Sequence, residues 1–177
     1  MVATFDILLG EKTILRPFTE DNITPAYISW LNDPRITRFS NQRFHQHDQA
    51  SSHAYLTTFN SSHNLFISIY DRAGGRHIGT MTAYINQHHN TADIGLLIGD
   101  PASWGKGYGQ DAWNTFGNWM LNVFKIRKLT AGAAIGNKAM VRIMECFGMS
   151  YEATRFGQEL IDGSPHDLVY YAKFANT

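Results

Sequence analysis

The segment Ile94-Gly95-Leu96-Leu97-Ile98-Gly99-Asp100-Pro101-Ala102-Ser103-Trp104-Gly105-Lys106-Gly107-Tyr108-Gly109-Gln110 is the part of the sequence best suited to chemistry. An apolar stretch of strand character runs into a glycine-dense loop and then into a helix start. Glycines let backbone N–H groups come close to an anion. A helix N-terminus adds unpaired donors and partial positive charge. Such a loop suits a phosphate or pyrophosphate; a plain strand-to-helix connection is the alternative. It is not a nucleotide P-loop, because Lys106 is followed by Gly107 rather than by Ser or Thr. Nor is it a dinucleotide fingerprint, since Gly105, Gly107 and Gly109 alternate and follow an antiparallel region.

The other reactive side chains are scattered. His45, His47 and His53 fall in an early helical region, His63 lies beyond them, and His88-His89 occupy a turn. No pair has a third ligand at metal-like spacing, so no metal site is expected. Cys146 reads as a packed core thiol rather than a nucleophile. A single cysteine also excludes an internal disulfide framework and a Cys-only zinc site.

The elements that must position these groups follow from periodicity and punctuation. Thr13–Pro17 alternates as a strand, and Thr19-Glu20-Asp21-Asn22 supplies helix-start chemistry for a helix carrying Tyr27, Trp30 and Leu31. Asn32-Asp33-Pro34 ends that helix. A second, weakly amphipathic helix is expected from His45 to Asn60. Leu65–Tyr70 and His77–Ile85 form a hairpin across Asp71–Gly75, and Ala92–Ile98 is a mostly apolar, central strand. A helix over Gln110–Phe124 follows the loop, then a strand at Lys128–Ile135 and a helix at Asn137–Phe147 closed by Gly148. Two strands, Ser150–Leu160 and Asp167–Phe174, flank Gly163-Ser164-Pro165. The pattern is a mixed α/β sheet with helices on both faces.

Composition agrees. The 177 residues carry 15 basic and 15 acidic side chains, 44% apolar and 13% aromatic residues. One domain spanning 1–177 is expected, with a core that needs no metal or disulfide. Zero formal charge argues against broad electrostatic binding to nucleic acid or membrane. No apolar run reaches membrane-spanning length. Met1–Gly10 shows no basic segment followed by an apolar core, so no signal peptide and a cytoplasmic location are expected. Trp113, Trp119 and Tyr171 could serve a homodimer, and core packing explains them equally well.

Trp104-Gly105-Lys106-Gly107-Tyr108-Gly109 resembles the pyrophosphate loop of the GNAT superfamily of acetyl-CoA-dependent N-acetyltransferases, whose pattern is Gln/Arg-x-x-Gly-x-Gly/Ala. Trp104 in place of Gln or Arg is typical of the ribosomal-protein N-terminal acetyltransferase branch. Asn137 to Met149 resembles the family's Asn-x-x-Ser/Ala helix that ends in Gly-Phe. The opening Ile14-Leu15-Arg16-Pro17-Phe18, with Trp30-Leu31-Asn32-Asp33-Pro34, is similar to the same branch. Nearly the whole chain is covered, in the right order.

The resemblance implies one mostly antiparallel sheet of about seven strands and about four helices, with a splayed central strand pair into which the cofactor wedges. It implies acetyl-CoA as donor, its pyrophosphate on the backbone of Gly105, Lys106, Gly107, Tyr108, Gly109 and Gln110. Leu97, Ile98 and Gly99 would line the pantetheine arm, a backbone N–H near Leu97 or Ile98 would serve as oxyanion donor, and Asn137 would bond the arm, cap its helix, or both. Asp93, sharing a face with Gly95 and Leu97, is the candidate base, with Tyr84 as a partner or water-holder; an ordinary strand-end carboxylate is the alternative. The family's usual acid and serine positions are Met144 and Met140 here. Arg35, Arg38, Arg43, His45 and His47 would border the acceptor cleft or form a solvated loop. The acceptor is a protein N-terminus or a small amine, with a nucleotide-linked amino sugar as an alternative. A non-catalytic acyl-CoA sensor is the reading from a different class.

Overall fold

The computed structural model describes residues 6–175, so Met1–Phe5 of the N-terminal stretch considered above lie outside the described residues. Eight strands form one sheet: β1 (Leu8–Leu9), β2 (Thr13–Pro17), β3 (Leu65–Asp71), β4 (His77–Asn86), β5 (Thr91–Ile98), β6 (Lys128–Ala134), β7 (Ser150–Ile161) and β8 (Ser164–Phe174). Their order is β1-β2-β3-β4-β5-β6-β8-β7. Every neighbouring pair is antiparallel except β5 and β6, which run parallel. The helices are α1 (Pro25–Asn32), α2 (Pro34–Thr37), α3 (Gln49–Asn60), α4 (Tyr108–Asn122) and α5 (Lys138–Cys146). Beyond the expected architecture stand only the two-residue β1 and the single-turn α2.

The period of two along each strand divides the apolar residues between two layers. On one face Leu15, Ile67, Ile69, Met81, Ile94 and Leu129 pack against Trp113, Phe116 and Met120 of α4 and Met144 of α5. On the other, Phe66 and Leu97 meet Phe18, Tyr27, Trp30, Leu56 and Phe59 around α1 and α3. Burying each such side chain contributes about 1.5–3 kcal/mol.

Helix boundaries shift from the expected ones because the caps lie elsewhere. Thr19 caps only a single 3-10 turn, while Thr24 accepts the Tyr27 N–H and Pro25 opens α1. Asp48 and Ser51 cap α3 reciprocally, so that helix starts at Gln49, and α2 and a 3-10 turn at Asn41–Phe44 occupy the residues before it. The packing of the candidate aromatics decides between the two alternatives open for them, and one burial expectation, that for Cys146, is corrected. Trp113 and Tyr171 are buried core residues. Trp119 stacks on Phe116 and Phe124. Cys146 is exposed rather than packed, because α5 turns Ile143, Met144 and Phe147 inward and leaves Cys146 on the outer side.

Candidate active site

β5 and β6 pair only where Thr91–Asp93 meets Lys128–Thr130. Beyond that point β5 follows β4 as far as Ile98, and β6 follows β8 as far as Ala134. The strands therefore part just past the Asp93–Thr130 pair and leave a wedge. Gly99 N–H donates to the Ile78 carbonyl at 2.9 Å. The alternation of an antiparallel ladder then sends the backbone groups of Leu96 and Ile98 away from β4, toward the wedge. Of the two expected donors, only Ile98 has its N–H on that side; Leu97 turns its backbone to β4 and its side chain to the cleft. The Ile98 carbonyl accepts from Trp104 Nε1 at 2.8 Å, which ties the loop to the strand end.

The chain leaves β5 at Gly99, pressed against Trp30: a Cβ there would lie 2.2 Å from the indole. Asp100 accepts from Ala102 N–H at 3.0 Å and Ser103 Oγ at 2.8 Å, and pairs with Arg76 at 3.2 Å. Gly107 caps α4 at φ +85°, a conformation that favours glycine. The first helical bond runs from Asp111 N–H to the Gly107 carbonyl at 3.0 Å. The N–H groups of Tyr108, Gly109 and Gln110 precede it and are open to an anion. Lys12 Nζ reaches the Lys106 carbonyl at 2.8 Å. Asp111 holds Lys12 there by accepting the N–H groups of Glu11, Lys12 and Thr13 and the Thr13 hydroxyl, at 2.6–3.0 Å. Across the wedge, Asn137 Oδ1 accepts the Met140 N–H at 3.2 Å, and both residues line the cleft.

The cleft holds about 640 Å³ and runs from Gly95, Leu97 and Gly132 to α3. Tyr84 and Tyr55 lie in it with their hydroxyls 2.8 Å apart. Burial, and then the Tyr84 bond, push the Tyr55 hydroxyl well above the usual phenol range. Asp93 is not part of the cleft wall, but it stands directly opposite Tyr84 in the ladder, at the vertex of the wedge. The Asp93 carboxyl keeps an exposed edge and accepts from Thr130 Oγ1 at 2.8 Å. Desolvation raises it above the ordinary carboxylate range, and the Thr130 bond offsets only part of that.

Of the residues expected at the acceptor side, His45 and His47 line the cleft. Arg35 pairs with Asp33 at 2.6 Å and is exposed. Arg38 pairs with Asp162, in the β7–β8 turn, at 2.8 Å. Arg43 donates to the carbonyls of Ser40 at 2.8 Å and Leu160 at 3.0 Å. None of the three arginines lines the cleft; Arg38 and Arg43 instead tie the segment that follows α2 to the end of β7 and the β7–β8 turn. Among the described residues no three His, Cys, Asp or Glu side chains converge as a metal-binding group. Sequence reasoning missed Tyr55 and Ser52 on α3, Thr130 beside Asp93, and the Lys12–Asp111 anchor. The three-residue spacing of Ser52 and Tyr55, which places both on one helix face, was the available signal for α3.

The sequence matches the family model of the acetyltransferase (GNAT) domain over residues 12–150. No curated protein matches in sequence. Among solved structures, ribosomal-protein-S5-alanine acetyltransferase from Vibrio fischeri superposes at TM-score 0.83 with 17% identity, covering 96% of this chain and 97% of that one. Spermidine N-acetyltransferase from Vibrio cholerae, in complex with CoA and spermine, gives 0.81 at 17% identity over 93% and 96%. The ribosomal L7/L12 α-N-protein acetyltransferase RimL, in complex with coenzyme A, gives 0.81 at 16% over 95% and 97%. At such identities the likeness to these structures is one of fold.

Proposed function

Since this chain belongs to the GNAT acetyltransferase family, whose acetyl donor is acetyl-CoA, we propose that it moves an acetyl group directly to a primary amine, on a protein N-terminus or a small molecule. The observation that carries this reading is the wedge between β5 and β6, with an open helix N-terminus beside it and a carboxylate at its vertex. Backbone N–H groups of Gly105, Lys106, Gly107, Tyr108, Gly109 and Gln110 hold the pyrophosphate. Leu97, Ile98 and Gly99 line the pantetheine arm, and Asn137 bonds it through its amide nitrogen while its oxygen caps α5.

Acetyl-CoA, when bound, supplies a thioester carbonyl to the attacking amine and a thiolate as leaving group. The chain's residues do the rest. Asp93 accepts the ammonium proton, through Tyr84 or a water, because Tyr84 rather than Asp93 faces the cleft. Its raised proton affinity makes it a better acceptor than an ordinary carboxylate. Ile98 N–H stabilises the carbonyl oxygen as it gains charge. Cleft and wedge hold the two reactants together, which removes the entropy cost of their encounter. The α5 positions where the family's acid and serine stand are Met144 and Met140, and neither thioether has a proton to give the thiolate. We place the enzyme in the cytoplasm, as a consumer of acetyl-CoA. Among the described residues no helix is long and apolar enough to cross a membrane.

The test is thiol release from acetyl-CoA, with and without amine, beside calorimetric binding of acetyl-CoA. Amine-dependent release is the expected result. Binding with no release on any amine favours the sensor reading, and absence of binding overturns the proposal.

A further inference from the structure

We infer that Lys12, on the turn between β1 and β2, is a positioning residue for the donor: its ammonium stands behind the Lys106–Gly107 peptide and strengthens the loop's hold on the pyrophosphate of acetyl-CoA. This rests on the placement of the pyrophosphate given above. Three observations lead there.

The first is the place of the ammonium. Lys12 Nζ donates to the Lys106 carbonyl at 2.8 Å. A Cβ on Gly107 would lie 3.3 Å from that nitrogen, so the cation sits against the residue that caps α4. In a trans peptide the carbonyl and the following N–H point in opposite directions. The ammonium thus meets one edge of the Lys106–Gly107 peptide, and the Gly107 N–H leaves the other. The N–H groups of Gly105, Lys106 and Gly107 donate to no backbone carbonyl among the described residues. A bond to a carbonyl polarises its peptide and makes the N–H a stronger donor, and a charged partner does so most.

The second is charge. Asp111 puts a carboxylate in the first turn of α4, where it suits the helix but opposes an incoming anion. Its oxygens accept the N–H groups of Glu11, Lys12 and Thr13 and the Thr13 hydroxyl. Among the described residues the Lys12 ammonium pairs with no carboxylate. Its charge is therefore available to offset Asp111 and to attract the pyrophosphate.

The third is how firmly the turn is held. The Lys12 N–H donates to Asp111 Oδ2 at 3.0 Å, and the Lys12 carbonyl accepts the Arg72 N–H at 2.9 Å. The Arg72 side chain also donates to the Gly10 carbonyl at 2.6 Å. Gly10 lies so close to α4 that a Cβ there would be 2.3 Å from Asp111 Oδ2 and 2.7 Å from Thr115 Oγ1. All of this fixes the main chain. The Lys12 side chain is exposed, and one exposed hydrogen bond roughly balances the entropy lost in ordering a lysine. Folding gains little from the bond to Lys106, whereas a bound pyrophosphate gains from the charge.

The experiment measures the Kd of CoA by calorimetry for the wild type, Lys12→Met and Lys12→Arg, at low and at high salt. Ligand-observed NMR gives the Kd of pantetheine, which lacks the pyrophosphate. Lys12→Met is expected to weaken CoA about five- to tenfold at low salt and less at high salt. Lys12→Arg keeps the charge and should stay within about twofold of the wild type. Pantetheine should bind all three alike, and the thermal midpoint of the free protein should not move. Unchanged CoA affinity in Lys12→Met overturns the inference. So does a loss of equal size in Lys12→Arg, a loss that salt leaves untouched, or one that comes with a lower thermal midpoint, since each marks a brace for the loop and no part for the charge. If the wild type binds pantetheine as tightly as CoA, the placement of the pyrophosphate falls while the donor stands. If it does not bind CoA at all, the donor reading falls, and this inference with it.

Discussion

The donor side and the acceptor side of the site are built from different materials. On the donor side, β5, the loop to α4 and the start of α5 offer backbone: open N–H groups at Tyr108–Gln110, a strand edge at Leu96 and Ile98, and a glycine at φ +85° that allows the turn. On the acceptor side, α1, α3 and the segment 39–47 between them offer side chains from several elements, and Arg38 ties the start of that segment to Asp162 of the β7–β8 turn. A surface made of backbone is fixed by local conformation and tolerates changes of side chain. A surface made of side chains changes its ligand with each substitution. One fold can thus keep its donor while its acceptor varies.

The comparison is broken most severely where the halves meet. Asp93→Asn is expected to lower kcat by about 10²–10⁴ while acetyl-CoA still binds. In the wild type, kcat/KM rises with pH as Asp93 ionises. Because desolvation raises that ionisation, the acid limb lies above the ordinary carboxylate range, and it disappears in the variant. A pH–rate profile of both proteins checks this.

Gly107→Val tests the claim that the donor side is backbone. A β-branched residue is strained at φ +85°, so acetyl-CoA affinity is expected to fall by about ten- to a hundredfold. Lys106→Ala keeps the backbone and should cost no more than about threefold. Calorimetric titration of both variants reads the contrast directly.

The acceptor side has its own acid sensitivity. His77 lies among Phe18, Tyr27, Trp30 and Tyr70, and burial lowers its pKa to about 4. The unfolded chain takes up the proton near the ordinary value of about 6.5. Stability therefore falls as pH drops from about 6.5 to about 4 and levels off below, by on the order of 3 kcal/mol. His77→Phe should flatten thermal midpoints over that window.

The smallest effect is expected at the hairpin latch. Arg38 and Asp162 are both well exposed, so a double-mutant cycle should give a coupling of at most about 1 kcal/mol. The acceptor KM, rather than the acetyl-CoA KM, should record the loosened segment 39–47.

What could be read in the sequence follows the same division. Gly105, Gly107 and Gly109 between a strand and a helix announce a donor loop because the chemistry depends on neighbours in sequence. The apolar face of α4 and the strands β2 to β6 were legible for the same reason, since their periods are local. Arg38 and Arg43 had no visible partners, because a carboxylate 124 residues away leaves no trace beside Arg38, whereas Asp33 stands two residues from Arg35. Ser52 is one serine among several until its burial shows that its hydroxyl is unpaired. Cys146 was misread because residue type suggested burial where the helical phase of α5 puts it outside.

The hairpin latch also bears on how the protein is made. Arg38 and Asp162 are 124 residues apart, and Arg43 reaches the Leu160 carbonyl. Translation proceeds from the N-terminal side, so α1 to α3 leave the ribosome long before the strand pair to which segment 39–47 is tied. β6 likewise waits for β8, its only other neighbour besides β5. A nascent chain can present the donor loop early, yet segment 39–47 of its acceptor cleft is not tied down until synthesis has passed Asp162. The same sequence separation makes closure of that latch a late, slow-forming contact during refolding.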